Sequence, residues 1–315
     1  MDDVSELLTL QSGVISRRHV ETAGETASDI ARRLRRRERA RLVPGVYVDH
    51  TGRPSWLQRA WAGVLCYWPA VVADESALRL AGAGGQAEQV VIAVDRCRSV
   101  RERNGYRLRW VADLEAVSLS STSPPRMRVE DAALRVASRA PRELDAIQVL
   151  ANVVQLRLST APRMDAALSR HPRLPSRGWL AEVLADVAVG THSVLEREYL
   201  ARVERAHGLP RATRQLRAVG ESVRYADAAY PEHDLELELD GRFVHDTAAQ
   251  RHRDLDRDLD VAASGRTTVR LGWGQVFGDA CRTADRIGRL LALRGWSGRP
   301  IPCGPGCPVG DLPSL

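Results

Sequence analysis

The stretch that decides how this chain is read is "YADAAYPEHDLELELDGRFVH", residues 225–245. Leu235, Leu237 and Leu239 alternate with Glu236, Glu238 and Asp240. A period of two puts the leucines on one face of a strand and the acids on the other. "YADAAY" (225–230) has the composition of a partner strand, and "PEHD" supplies the turn between them. In an antiparallel pair the start of one strand lies across from the end of the other, so Asp227 and Glu238 are expected as neighbours. Adjacent carboxylates repel unless a positive charge lies with them. A divalent metal would relieve that conflict, and Mg²⁺ (or Mn²⁺) favours one or two carboxylates plus water and phosphate oxygens. The bland alternative is a solvated face on an exposed strand.

The surroundings of this hairpin make an α/β unit over 191–297. The helix "SVLEREYLARVERAHG" places Leu195, Tyr199 and Val203 on one face, and Gly208 and Pro210 end it. After the hairpin come a helix ("TAAQRHRDLDRDLDVAAS"), a strand ("RTTVRLG") and a last helix ("ACRTADRIGRLLALRG"). The expected order is helix, strand, strand, helix, strand, helix, with helices on the faces of a sheet.

The spacing of Asp227, Glu238, Asp240-Gly241 and His245 resembles the PD-(D/E)XK nuclease superfamily, and within it the domain family related to the very-short-patch repair endonuclease. "SVLEREYL…AHGLP", "DRD" (256–258) and "SGRTTVRLGWGQV" resemble the same family's flanking elements, so the likeness spans about a third of the chain. It implies a restriction-endonuclease-like fold, with Asp227 and Glu238 as metal ligands and the Leu239 carbonyl beside them. It also implies His245 as a general base or water-positioner and Glu196 acting through water. Asp240 stands where the wider superfamily has lysine, and this chain has no lysine at all. Arg270 is assigned either to a phosphate or to an ion pair with Asp258.

Charge points to nucleic acid from the other end of the chain. Between Ile30 and Val48 lie Arg32, Arg33, Arg35, Arg36, Arg37, Arg39 and Arg41 against one acid, Glu38, so this segment alone matches the +6 of the whole chain. Around it, "VSELLTLQ", "ISRRHVETA" with Ser16 as N-cap, and "TASDIARRLRRRER" read as three helices, and "ARLVPGVYVDH" as a hairpin about Pro44-Gly45. A basic third helix and a hairpin wing suit duplex DNA, with arginines on phosphates. "GVISRRHV…IARRLRRRERARLVPGVYV" also resembles the N-terminal winged helix of AbiEi-type antitoxins, which implies operator DNA and a cognate toxin as partners. That likeness covers about a sixth of the chain.

The expected architecture is therefore multidomain, α/β and α+β. It comprises a winged helix-turn-helix over 1–50, a mixed α/β middle region over 51–190 without assignable chemistry, the restriction-endonuclease-like domain over 191–297, and a disordered Pro/Gly-rich tail over 298–315. In the middle region "QVVIAVDR" and "YRLRWVAD" read as strands, and Trp56, Trp61 and Trp68 read as core rather than a base-stacking platform. Two functional readings stay open: a Mg-dependent DNA endonuclease, and a non-catalytic antitoxin-like regulator on a degenerate nuclease fold.

The bulk numbers exclude other classes. Of 315 residues 44% are hydrophobic and 27% charged, and the longest apolar run, 61–73, is broken by Pro69 and too short to span a bilayer. An acidic N-terminus argues against a secretory signal. Scattered cysteines (Cys66, Cys97, Cys281) suggest reduced thiols and a cytoplasmic location. Cys303 and Cys307, in "CGPGC", form a lone pair. Zinc needs four ligands, so that stretch is read as tail and not as a metal site.

Overall fold

The computed structural model describes residues 4–85, 88–189, 193–218, 224–241 and 267–309. The chain is mixed α/β with three sheets and divides into two compact units. The first holds Met1–Val136 with Leu156–Ser159 and Ala166–Leu174; the second holds Ala137–Gln155, Thr160–Asp165 and Pro175–Leu315.

The first unit opens with α1 (Val4–Leu10), β1 (Val14–Ser16), α2 (Arg17–Thr22), α3 (Ala27–Arg35), β2 (Ala40–Val43) and β3 (Val46–Val48). Side chains set the helix starts. The Ser16 hydroxyl accepts from His19 N–H at 3.3 Å, and Thr26 and Asp29 cap each other's backbone at the head of α3. The strands order as β1-β3-β2, and Ile15, Val20, Ile30 and Tyr47 make a small core under the helices. Strand β1 is absent from the sequence reading. Its three residues follow Gly13, whose φ of 82° turns the chain out of α1.

Helix α4 (Trp56–Tyr67) is apolar on more than one face, and both are used. Trp61, Ala62 and Leu65 pack with Val14, Val46 and Val48 of the first sheet. Ala60, Val64 and Tyr67 pack with Val72, Ile92 and Leu108 of the next. The boundary drawn at 50/51 from sequence thus falls inside one unit, because one helix completes two cores. Trp61 is buried as expected of core, whereas Trp68 is 44% exposed.

The second sheet follows from β4 (Val71–Val72), α5 (Asp74–Leu80), β5 (Val90–Asp95), β6 (Tyr106–Val111), α6 (Leu114–Val117), β7 (Ser118–Leu119), β8 (Arg126–Met127) and α7 (Val129–Ala137). Its order is β6-β5-β4-β8-β7, with β5 and β6 parallel. Two buried carboxylates brace this unit. Asp74 accepts from Arg109 and Arg135 at 2.9 and 2.8 Å. Asp131 accepts from Arg170 at 2.9 and 2.7 Å and pairs with His171 at 2.7 Å.

Next come α8 (Glu143–Gln155), α9 (Ala161–Ala167), α10 (Arg177–Val189) and α11 (Ser193–Tyr199), the last continuing as a π-helical segment, Leu200–Arg205. The second unit's sheet is β9 (Thr213–Ala218), β10 (Arg224–Tyr230), β11 (Leu235–Asp240) and β12 (Thr267–Gly272), and α12 (Ala280–Ala292) closes it. The order is β12-β11-β10-β9, antiparallel except for the parallel β11–β12 pair. Strand β9 is an addition to the order expected from sequence. Leu195, Tyr199 and Val203 are fully buried, as are Leu235 and Leu237, and α11 packs on β11.

Candidate functional site

The acidic hairpin forms as its alternation requires. Tyr230, Ala229 and Ala228 pair with Leu235, Glu236 and Leu237, and Asp234 takes the left-handed turn position at φ 47°, one that Asp tolerates better than most residues. Along β11 the leucines are buried and Glu236, Glu238 and Asp240 are half-buried. Asp227 is the next residue of β10 beyond Ala228. Its Oδ2 accepts the Leu239 N–H at 2.6 Å, a charge-assisted bond that ties it to β11 beside Glu238. Asp227 is therefore anchored on β11 at the residue that follows Glu238.

Glu238 has a partner, Arg270, that the sequence reading gave either to a phosphate or to Asp258. The parallel register sets Arg270 opposite Glu238, and Arg270 Nε donates to Glu238 Oε2 at 2.9 Å. Part of the charge conflict on this face is thus met by a guanidinium and a backbone N–H. Asp240 lies opposite Gly272. Glu196 is half-buried on α11, between the buried Leu195 and Tyr199. His245 and Asp256 to Asp258 lie outside the described residues. Behind the acidic face, Tyr230 and Tyr199 share a buried hydroxyl–hydroxyl bond of 2.9 Å, and burial pushes the Tyr230 phenol up to about 12.

The arginine cluster divides into paired and unpaired members. Helix α3 ends at Arg35, so Arg37, Arg39 and Arg41 lie beyond it, with Arg37 in a left-handed turn (φ 60°) and Arg41 on β2. Arg39 is a correction to the DNA-facing set: its side chain is 4% exposed and grips Glu25 through two bonds of 2.7 and 2.8 Å. Arg32 pairs with Asp29 at 2.7 Å, Arg33 with Glu25 and Glu38 at 3.3 Å each, and Arg36 with Glu38 at 3.8 Å. Among the described residues, Arg35, Arg37 and Arg41 are exposed and have no ion-pair partner.

One constellation escaped the sequence reading. Among the described residues, the group whose donor atoms converge to metal-binding reach is His207, Cys281, Cys303 and Cys307, all within 4.8 Å of one another. Cys281 is in the first turn of α12, His207 follows the π-helical segment, and the other two come from "CGPGC". Over 298–309, where composition alone suggests a disordered tail, the chain makes specific contacts. Ile301 N–H donates to the His207 carbonyl at 2.9 Å, and Val309 is buried.

No protein-family model matches the chain, and no curated protein matches it. Among solved structures, the RV2827C protein from Mycobacterium tuberculosis is similar at 18% identity over 58% of this chain and 74% of that one, with a TM-score of 0.37. No activity of this chain follows from a likeness at that level.

Proposed function

We propose that the chain binds duplex DNA through its N-terminal module and hydrolyses phosphodiesters with a metal-dependent, restriction-endonuclease-like site on its second unit. The carrying observation is the Asp227 carboxylate held on the Leu239 N–H of β11, one residue along from Glu238. The element order supports it: α11, three antiparallel strands, a fourth parallel to the third, then α12. The N-terminal order α1–β1–α2–α3–β2–β3 supports the winged-helix reading. Arg35, Arg37 and Arg41 stand ready for phosphates, and Arg32, Arg33 and Arg36 reach them at the expense of weak surface pairs.

The donors at the acidic face are hard carboxylate oxygens, the chemistry that Mg²⁺ or Mn²⁺ selects. Asp227 and Glu238 would hold the ion together with the Leu239 carbonyl, and a bound ion supplies charge stabilisation and an acidified water. Asp240, Glu196 and His245 complete the set drawn from the resemblance.

The Arg270–Glu238 bond favours a second reading, a DNA-binding regulator of antitoxin type, with a toxin as partner, in which the guanidinium takes the place of the ion. Arginine does not give up its proton at neutral pH, so it neutralises the carboxylate permanently. Plasmid nicking in Mg²⁺ or Mn²⁺ separates the two. Under the nuclease reading wild type cleaves, Asp227→Ala and Glu238→Ala abolish cleavage, and Glu236→Ala retains it. Wild type and Arg270→Ala both inert, with specific DNA binding intact, refutes the nuclease and leaves the regulator. Undiminished cleavage in Asp227→Ala or Glu238→Ala refutes the site.

A further inference from the structure

A second centre lies in the second unit, built from donors of a different chemical kind. His207 is fully buried. Its Nδ1 lies 3.1 Å from the Val203 carbonyl, which makes Nδ1 the protonated nitrogen and leaves the lone pair on Nε2. That Nε2 faces the Cys307 sulfur at 3.7 Å, and the Cys281 and Cys303 sulfurs are 3.7 Å apart. A sulfur pair at that distance is not a disulfide, whose bond is about 2.05 Å. It is the edge of a tetrahedron: sulfurs each about 2.3 Å from a zinc ion lie roughly 3.8 Å apart, and a sulfur and an imidazole nitrogen slightly less.

We propose that His207, Cys281, Cys303 and Cys307 bind one Zn²⁺ ion in a closed Cys₃His site that pins the chain over 298–309 onto the second unit. Three thiolates and an imidazole fill a tetrahedral sphere and leave no position for substrate, so the site is structural. The His207–Val203 bond is the outer contact that orients a metal-ligating imidazole. Binding releases the thiol protons, which couples occupancy to pH.

The path of the tail shows why it needs such a clamp. A Cβ on Gly288 of α12 would lie 2.2 Å from Pro300 Cγ, and one on Gly208 3.1 Å from Ile301 Cγ1. The tail therefore lies directly on both elements that supply the other two ligands. Gly306, at φ 77°, lets "CGPGC" turn both sulfurs to one side. Yet the segment buries little apolar surface, since Ile301 remains 53% exposed. Ordering it has to be offset by something other than burial, and a metal centre does this in segments with small cores.

The test uses the untagged full-length chain, purified under reducing conditions without chelator, and does not depend on the nuclease reading. Elemental analysis is expected to find one zinc per chain. Cobalt substitution should give the visible bands of tetrahedral Co²⁺ with thiolate charge transfer. Cys303→Ser and His207→Ala should lose the metal, whereas Cys66→Ser and Cys97→Ser keep it. If a ligand variant does not fold, thiol alkylation of wild type still decides: Cys281, Cys303 and Cys307 should be protected until a chelator is added. Zinc-free protein whose cobalt spectrum is octahedral, alkylation indifferent to chelator, or a Cys281–Cys303 disulfide in the reduced preparation would overturn the proposal.

Discussion

Arg39→Ala tests whether the basic segment divides between structure and DNA as its ion pairs indicate. The Arg39 side chain is 4% exposed and that of Glu25 14%, and two bonds of 2.7 and 2.8 Å join them. Removing one member of a buried pair leaves the other charge desolvated, at a cost of about 3–5 kcal/mol. Arg33 Nε, 3.3 Å from the same Glu25, retains part of the compensation, so the lower end applies, about 3 kcal/mol. For a unit of this size that lowers Tm by roughly 6–12 °C. Arg35→Ala and Arg41→Ala remove exposed side chains without ion-pair partners and should leave Tm within about 2 °C, because surface substitutions stay within about 0.5 kcal/mol. The assay is a thermal melt of each variant beside a gel shift across salt concentrations. Each of the two exposed variants is expected to weaken DNA binding and reduce the slope of log K against log salt by about 1. Arg39→Ala, measured below its melting temperature, should keep the wild-type slope. An Arg39→Ala protein that melts like wild type and loses affinity as Arg35→Ala does would refute the division.

Gly63→Ala sets helix propensity against packing: alanine favours α4 by about 1 kcal/mol, but its Cβ would stand 2.7 Å from Tyr106 Cε1 and 2.8 Å from Ile92 Cδ1. Overpacking costs about 1–3 kcal/mol, so urea denaturation should show net destabilisation, and a stabilised variant would refute the close approach. Asp131→Asn should destabilise the first unit by about 3 kcal/mol at neutral pH. Burial raises the Asp131 carboxyl, but hydrogen bonds and charge from His171 and Arg170 outweigh it and hold the group below the usual carboxylate range. A depressed folded-state pKa contributes stability above the unfolded value of about 3.9 and loses it as pH falls through the folded value. The gap between wild type and variant in urea midpoint should therefore narrow as pH drops below about 4, and a gap constant down to pH 2 would contradict the assignment.

What the sequence made legible was local. The acidic hairpin followed from a period of two and a turn, both written in consecutive residues, and its strands begin and end within a residue of the expectation. Helix α2 announced itself through Ser16, whose cap acts over three residues. Strand β9 was not legible, because "TRQLRA" has the composition of a surface segment and becomes a strand by pairing with β10. Nor was the sharing of α4 between two cores: apolar residues on all sides say that a helix is buried, not what buries it.

The charged and metal-binding groups show the same divide more sharply, because their roles are set by partners distant in sequence. A window over 30–48 counts Arg39 with its neighbours, yet its partner Glu25 lies outside that window, and pairing converts a cation for phosphates into an internal brace. Arg270 and Glu238 are 32 residues apart and meet through a parallel register that no short motif encodes. His207 and Cys307 are separated by 100 residues. Zinc motifs are recognisable when two ligand pairs each sit on one turn. Here one such pair exists, and the other two ligands come singly from the end of one helix and the start of another. Counting ligands along the chain makes "CGPGC" half a site, whereas folding places the other half 3.7 Å away. A lone short cysteine pair in a Pro/Gly-rich terminus is therefore weak evidence against a metal. What decides is whether a buried histidine and a helix-start cysteine elsewhere converge on it, and that is a property of the tertiary structure.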